Sequence, residues 1–213
     1  MTGDMAMQTV AERRAFIIDL CRRRQRPGSG SDLRALWKRE PHMHWPNLSD
    51  VLGDLAWAVV GGVATRLYMP ERATLDLDVA VAPADHREAC ARLAAAGWER
   101  MGDLTIGGTI WRSPEGVEVD ILVCAEPWVG SAIAAAGDNR DGDGLPVLPL
   151  PYIVLLKLRS SRAIDVADLS RMLGLADDEA LAEVRDKVQE FAPADAEDLE
   201  AIIELGKLEA DGT

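Results

Sequence analysis

The chain has few of the residues that build specialised scaffolds. Its three cysteines, Cys21, Cys90 and Cys124, are far apart, odd in number and without a CxxC or Cys/His cluster. We therefore expect neither a disulfide framework nor a zinc site, and interpret the cysteines as reduced, buried thiols. No apolar run approaches the roughly 20 residues of a membrane helix, and the N-terminus lacks the residue order of a secretory signal. These absences predict a cytoplasmic protein with no membrane partner.

Positive charge is also scarce. The 23 Lys and Arg residues face 36 Asp and Glu residues, a net charge of −13 that argues against a broad nucleic-acid-binding surface. The imbalance is uneven, because residues 1–45 carry nine basic and five acidic residues, whereas 164–213 carry four and fifteen. A locally basic N-terminal part is compatible with RNA, and the acidic tail is not.

What the chain does contain is enough apolar sequence for a folded core. Apolar residues make up 48% of its 213 residues, which excludes global disorder. The periodicity predicts a helical and irregular extension at 1–46, an α/β core at 47–148 and a helical region at 149–213. The predicted fold class is α/β (α+β), with a mixed sheet, flanking helices and an α-helical C-terminal part.

The most informative stretch of the core runs from Trp57 to Val79. An apolar strand leads into Gly61 and Gly62, and thirteen residues separate Gly62 from the strand that contains Asp76 and Asp78. Side chains alternate along a strand, so both carboxylates share one face and repel each other unless a cation lies between them. Oxygen ligands favour magnesium, and paired glycines allow backbone N–H groups to approach an anion closely. Phosphate and metal together indicate nucleotide chemistry.

A third carboxylate lies on a later strand, where Asp120 alternates with apolar residues in the sequence VEVDIL. If this strand lies beside the Asp76 strand, all three carboxylates meet on one surface and can hold two metal ions, or one ion and a base. Taken alone, the Asp76–Asp78 pair has an equally good interpretation as a solvated strand face. Gly61 and Gly62 alone fit any strand-to-helix turn.

These motifs, in this order and at this spacing, resemble the nucleotidyltransferase superfamily with its polymerase-beta-like fold. The resemblance covers roughly residues 57–123. It implies catalytic and metal-binding roles for Asp76, Asp78 and Asp120 with Mg²⁺ or Mn²⁺. It also implies nucleotide contacts from Gly61 and Gly62. Gly62 replaces the serine of the strictest pattern, and Thr74 is a candidate to supply the missing hydroxyl, alongside Arg72 and Arg66 as phosphate ligands.

The segment from Leu145 to Leu169 resembles the part that follows the catalytic sheet in bacterial nucleotidyltransferase toxins of abortive-infection and toxin–antitoxin systems. That resemblance implies nucleotide binding by Lys157 and a lesser contribution from Asp165 or Asp168. The interpretation from the residues themselves differs: the spacing of the charged residues predicts helical ion pairs, and Lys157 has the pattern of a snorkelling lysine.

Together the resemblances imply transfer of a nucleoside monophosphate from an NTP to a hydroxyl, with release of pyrophosphate. A tRNA or other RNA end is the favoured acceptor, and a toxin of this kind has an antitoxin protein as its partner. Two alternatives stay open: an enzyme that modifies a small molecule such as an antibiotic, and a catalytically inactive binding or regulatory module.

Overall fold

The computed structural model describes residues 9–24, 45–70, 74 and 76–210. The chain divides into two compact units. The sheet unit comprises the described residues within Glu40–Leu67 and Glu71–Pro149, and the helical unit those within Met1–Arg39, Tyr68–Pro70 and Leu150–Thr213. The helices are α1 (Val10–Arg24), α2 (Ser49–Leu52), α3 (Gly61–Ala64), α4 (His86–Ala95), α5 (Val129–Ala136), α6 (Leu150–Ser160), α7 (Ala163–Leu175), α8 (Asp178–Phe191) and α9 (Ala196–Ala210). The strands are β1 (Trp57–Val59), β2 (Asp76–Val81), β3 (Glu99–Asp103), β4 (Gly108–Arg112) and β5 (Glu118–Val123).

The five strands form one mixed sheet in the order β1-β2-β5-β4-β3. β2 and β5 are parallel, and the other neighbouring pairs are antiparallel. The alternation along β2 and β5 buries Leu77, Val79, Val119 and Ile121 completely on one face. Beyond β1, Val147 forms a parallel bridge with Val59. The sheet therefore has an apolar face and a polar face at its centre.

Short helices flank the sheet. α4 buries Ala89 and Leu93, and the guanidinium of Arg92 on the same helix binds the backbone carbonyl of Leu52 and the carboxylate of Asp54. α2 ends at Gly53, whose φ of +61° is a left-handed conformation that glycine adopts without strain. These contacts hold α2 beside α4 in the sheet unit.

The helical unit is built around close packing of α7 and α9. A Cβ atom placed on Gly174 would lie 2.3 Å from the backbone oxygen of Gly206, so the two helix backbones touch. The buried guanidinium of Arg14 on α1 binds Asp195 and Asp198 at the start of α9. It also donates to the carbonyl of Leu158. A buried charge with this many partners fixes α1 against the end of α6 and the start of α9.

The predicted fold class is confirmed, since a mixed sheet with flanking helices precedes an α-helical C-terminal part. α2 has only four residues, because Gly53 terminates it. α3 is followed by a 3₁₀ turn at Thr65–Leu67.

Candidate active site

The three aspartates predicted to share a sheet face do so. In the parallel pair β2–β5, Asp78 lies opposite Asp120 and Asp76 lies opposite Glu118. One carboxylate oxygen from each of Asp76, Asp78 and Asp120 lies within 4.8 Å of the others. Their alternation with buried apolar residues places them on the polar face.

The electrostatics of this cluster are those of crowded like charges. Burial raises the pKa of Asp120 above its ordinary value, and the negative charges of Asp76 and Glu118 raise it further. The Oδ1 atom of Asp120 is buried without a hydrogen-bond partner among the described residues. Leaving such an acceptor unsatisfied costs about 1–3 kcal/mol. Repulsion among the carboxylates is unfavourable in the absence of a cation, and a bound cation would offset it.

The donor set fits a divalent metal ion. All three side chains offer hard carboxylate oxygens, the ligands that Mg²⁺ and Mn²⁺ prefer. Oxygens on opposite sides of one magnesium ion are about 4 Å apart, so the observed 4.8 Å limit needs only small side-chain adjustments. The buried, unsatisfied oxygen of Asp120 is the observation in this structure that a bound ion would explain.

Gly61 connects the glycine pair to this cluster. Its φ of +64° is left-handed, and a Cβ atom on it would lie 1.8 Å from Oδ2 of Asp78. The backbone reaches this position because the N–H of Val60 donates to the carbonyl of Asp78, 2.9 Å away. Only glycine allows the chain to pass so close to the carboxylate. The backbone at Gly61 and the face that carries the three carboxylates are therefore one site.

Thr74 has a definite contact in this site. Its hydroxyl donates to Oδ1 of Asp76 over 2.8 Å. A hydrogen bond of this kind fixes the orientation of a ligating carboxylate. The structure thus gives Thr74 an orienting contact with Asp76, whereas its predicted contact with phosphate stays a prediction.

The structure describes only one of the two arginines that are predicted to bind phosphate. Arg66 forms ion pairs with Asp141 and Asp143 of the 138–144 loop. Oδ1 of Asp141 in turn accepts the backbone N–H groups of Asp143 and Leu145. These bonds give Arg66 a structural role in holding the loop. Arg72 lies outside the described residues.

Lys157 belongs to the helical unit, where it is 5% exposed and does not snorkel to the surface. Its ammonium lies 3.2 Å from Asp165 and 2.7 Å from Asp168, both buried. Burial alone would raise the pKa of Asp165, but hydrogen bonds from Arg162 and Ser160, with the charge of Lys157, lower it to about 2. Arg162 forms the i,i+3 ion pair with Asp165 that the helical spacing predicts, whereas the ion pairs of Lys157 join α6 to α7. Nucleotide binding by these residues stays a prediction.

Sequence reasoning missed two polar networks of the sheet unit. The sequence around Asp141 indicates only a polar loop. In the structure its carboxylate accepts a hydrogen bond from Arg66. His86 and Cys90 were treated separately, although both contact Thr109. Their spacing of four residues at the start of a predicted helix was the available signal, since such residues lie on one helix face.

No family model and no curated protein matches the chain. Similar solved structures include the antibiotic-resistance factor ANT(2'')-Ia, at 17% identity over 71% of this chain and 81% of that chain, with a TM-score of 0.38. The Cid1 poly(U) polymerase is 12% identical over 79% of this chain and 56% of that chain, with a TM-score of 0.30. Terminal uridylyl transferase 4 from Trypanosoma brucei, with bound GTP, is 12% identical over 86% and 72%, with a TM-score of 0.29. These similarities are remote.

Among the residues that the structure describes, no helix combines the length and apolar character of a membrane span.

Proposed function

We propose that this protein is a metal-dependent nucleotidyltransferase that moves a nucleoside monophosphate from an NTP to a hydroxyl acceptor and releases pyrophosphate. The observation that carries the proposal is the cluster of Asp76, Asp78 and Asp120, whose oxygens lie within 4.8 Å of one another next to the backbone of Gly61. A cluster of three carboxylates beside an unobstructed backbone combines a cation site with an anion site. A nucleoside triphosphate and its magnesium ions require both.

Asp76, Asp78 and Asp120 would hold Mg²⁺ or Mn²⁺. When bound, such an ion neutralises charge on the phosphates and makes an acceptor hydroxyl more acidic. Thr74 contributes by fixing the Asp76 carboxylate through the 2.8 Å hydrogen bond from its hydroxyl. The missing side chain of Gly61 leaves room for the Asp78 carboxylate against the backbone, and Gly62 continues the same turn.

Asp120 is the residue that we assign as the base. Its buried Oδ1 atom accepts no hydrogen bond from the described residues, so a carboxylate oxygen of Asp120 is available to accept a proton. It would take the proton of the acceptor hydroxyl as that oxygen bonds to the α-phosphorus of the NTP. The bond between the α-phosphorus and the bridging oxygen then breaks, and pyrophosphate leaves.

For the acceptor we propose the end of an RNA, with tRNA as the first candidate and a toxin of a toxin–antitoxin pair as the biological setting. The support is the toxin-like pattern around Lys157 and the basic residues at 1–45. Lys157 and Arg72 stay predicted phosphate ligands in this scheme, with Arg66, Asp165 and Asp168 as weaker candidates. A small-molecule acceptor such as an antibiotic is the alternative, and the net charge of −13 suits a cationic one.

The test uses purified protein, each α-labelled NTP, Mg²⁺ or Mn²⁺, and either total tRNA or an aminoglycoside mixture. The proposal expects label to move to one acceptor class, and expects the Asp76→Ala/Asp78→Ala double variant to lose the transfer. Glu115→Gln is the matched control, because Glu115 is an exposed carboxylate in the turn before β5 and should be dispensable. Transfer that survives the double change would refute the site. Metal-dependent NTP binding without transfer to any acceptor would favour a binding module.

A further inference from the structure

Three polar side chains meet where α4 packs on the sheet, away from the carboxylate cluster. His86 and Cys90 lie one helical turn apart on α4, and Thr109 lies on β4. Thr109 pairs with Ile121 on the neighbouring strand β5. Asp120 is the residue before Ile121, so its side chain points to the opposite face of the sheet. The three side chains therefore form a separate cluster on the other side of the sheet from the proposed active site.

The distances within this cluster bring a base and a nucleophile together. The Nε2 atom of His86 lies 3.5 Å from the sulfur of Cys90 and 3.2 Å from the hydroxyl of Thr109. The same hydroxyl lies 3.5 Å from the sulfur. Sulfur contacts of this length are within hydrogen-bonding range. Cys90 and His86 are both partly exposed.

The hydroxyl of Thr109 is oriented by a fourth residue. The indole N–H of the buried Trp111 donates to it over 2.9 Å. With one lone pair occupied in this way, the hydroxyl proton is directed towards His86 or Cys90. When the imidazole is neutral with its proton on Nδ1, Nε2 accepts the thiol proton of Cys90 and the Thr109 hydroxyl can donate to the resulting thiolate.

We propose that Cys90 is a reactive thiol, activated by His86, and that it is a modification site for peroxides and other soft electrophiles. The thiolate is the reactive form of cysteine, and an adjacent base raises its fraction. With hydrogen peroxide, the Cys90 sulfur attacks one peroxide oxygen, the O–O bond breaks and an S–O bond forms. Sulfur is oxidised to a sulfenic acid and the peroxide is reduced. The proton held by His86 joins the leaving hydroxide as water, so the step balances.

The other two cysteines supply internal controls. None of the three is in a disulfide. Burial raises the pKa of the Cys21 thiol, and the charge of Glu209 raises it further, so Cys21 should react slowly. Cys124 is partly exposed, as Cys90 is, and its rate serves as a reference that His86→Gln should not change.

The experiment treats native protein at neutral pH with limiting iodoacetamide and follows each cysteine by peptide mass spectrometry. Because the pKa of the Cys21 thiol is raised, we expect Cys90 to react at least about fivefold faster than Cys21. His86→Gln should remove this advantage and leave the Cys124 rate unchanged. Arg87→Gln, which changes an exposed neighbour, should leave all three rates unchanged.

A second readout tests the oxidation itself. Low doses of hydrogen peroxide with dimedone, which traps sulfenic acids, should label Cys90 first in the wild type and not in His86→Gln. Equal alkylation of Cys90 and Cys21, or a Cys90 rate that His86→Gln does not lower, would overturn the proposal and leave the cluster as a structural hydrogen-bond network. Neither readout depends on nucleotide transfer.

Discussion

Gly61→Ala is the substitution that tests most sharply how the glycine pair and the acidic cluster depend on each other. The backbone at Gly61 has a φ of +64°, and an added Cβ would lie 1.8 Å from Oδ2 and 2.5 Å from Cγ of Asp78. A left-handed conformation costs alanine about 1–2 kcal/mol, and overpacking adds about 1–3 kcal/mol. To relieve the overlap, the Asp78 carboxylate has to rotate away from Asp76 and Asp120.

Gly116→Ala is the matched control, since its φ is +89° and nothing lies within 4 Å of an added Cβ. Urea unfolding should show a loss of about 1–2 kcal/mol for Gly116→Ala and about 2–5 kcal/mol for Gly61→Ala. Calorimetric titration with Mn²⁺ should show affinity lowered about tenfold or more in Gly61→Ala and unchanged in Gly116→Ala. Equal Mn²⁺ affinity in both variants would refute the coupling of Gly61 to the metal ligands.

Three further predictions concern other contacts. Gly206→Ala places a Cβ 2.7 Å from the backbone nitrogen of Gly174, so thermal unfolding should show a loss of about 3 kcal/mol; an unchanged Tm would contradict the close packing. The pKa of Asp165 is lowered to about 2 in the folded protein. Its ionised carboxylate therefore stabilises the fold at pH values above its unfolded pKa of about 4. That contribution, about 3 kcal/mol, should be lost as the pH falls from about 4 to below 2, and Asp165→Asn should flatten this part of the urea-stability profile. Thr74→Val should weaken Mn²⁺ binding about tenfold through Asp76, and Thr74→Ser should restore it; equal affinities would exclude an orienting role.

Local alternation made the faces of β2 and β5 predictable. Because side chains alternate within any strand, the positions of Asp76, Asp78 and Asp120 opposite the buried valines and isoleucine follow from sequence alone. Their adjacency rested on the tendency of neighbouring strands to pair. In the structure β3 and β4 intervene along the chain, yet β2 pairs directly with β5, because the β3–β4 hairpin continues the sheet beyond β5. The three aspartates therefore meet as predicted, although β2 and β5 are not consecutive strands.

Contacts between distant residues were less predictable. Lys157 is surrounded by apolar residues in sequence, which does not distinguish a snorkelling lysine from a buried ion pair. Its partners Asp165 and Asp168 meet it only after α6 and α7 fold together. The partner of Arg66 is likewise 75 residues away, in a loop without periodicity. Such pairings depend on tertiary packing and not on the local pattern.

The same limit applies to the thiol cluster on the apolar side of the sheet. The spacing of His86 and Cys90 predicts a shared helix face, but not that Thr109 on β4 completes the group. A sequence pattern can therefore identify residues on one element, whereas the structure is needed to identify the third member from another.

The most direct test of the central claim is a calorimetric Mn²⁺ titration of the wild type and Asp78→Asn, with and without each NTP. If Asp76, Asp78 and Asp120 form a metal site for nucleotide chemistry, the wild type will bind Mn²⁺ and one or more NTPs will strengthen that binding. Asp78→Asn will lower the affinity at least about tenfold, and Glu115→Gln, which changes an exposed carboxylate outside the cluster, will leave it unchanged. A wild type that binds no Mn²⁺ under any of these conditions, or an Asp78→Asn variant that binds it equally well, would contradict the proposed metal site.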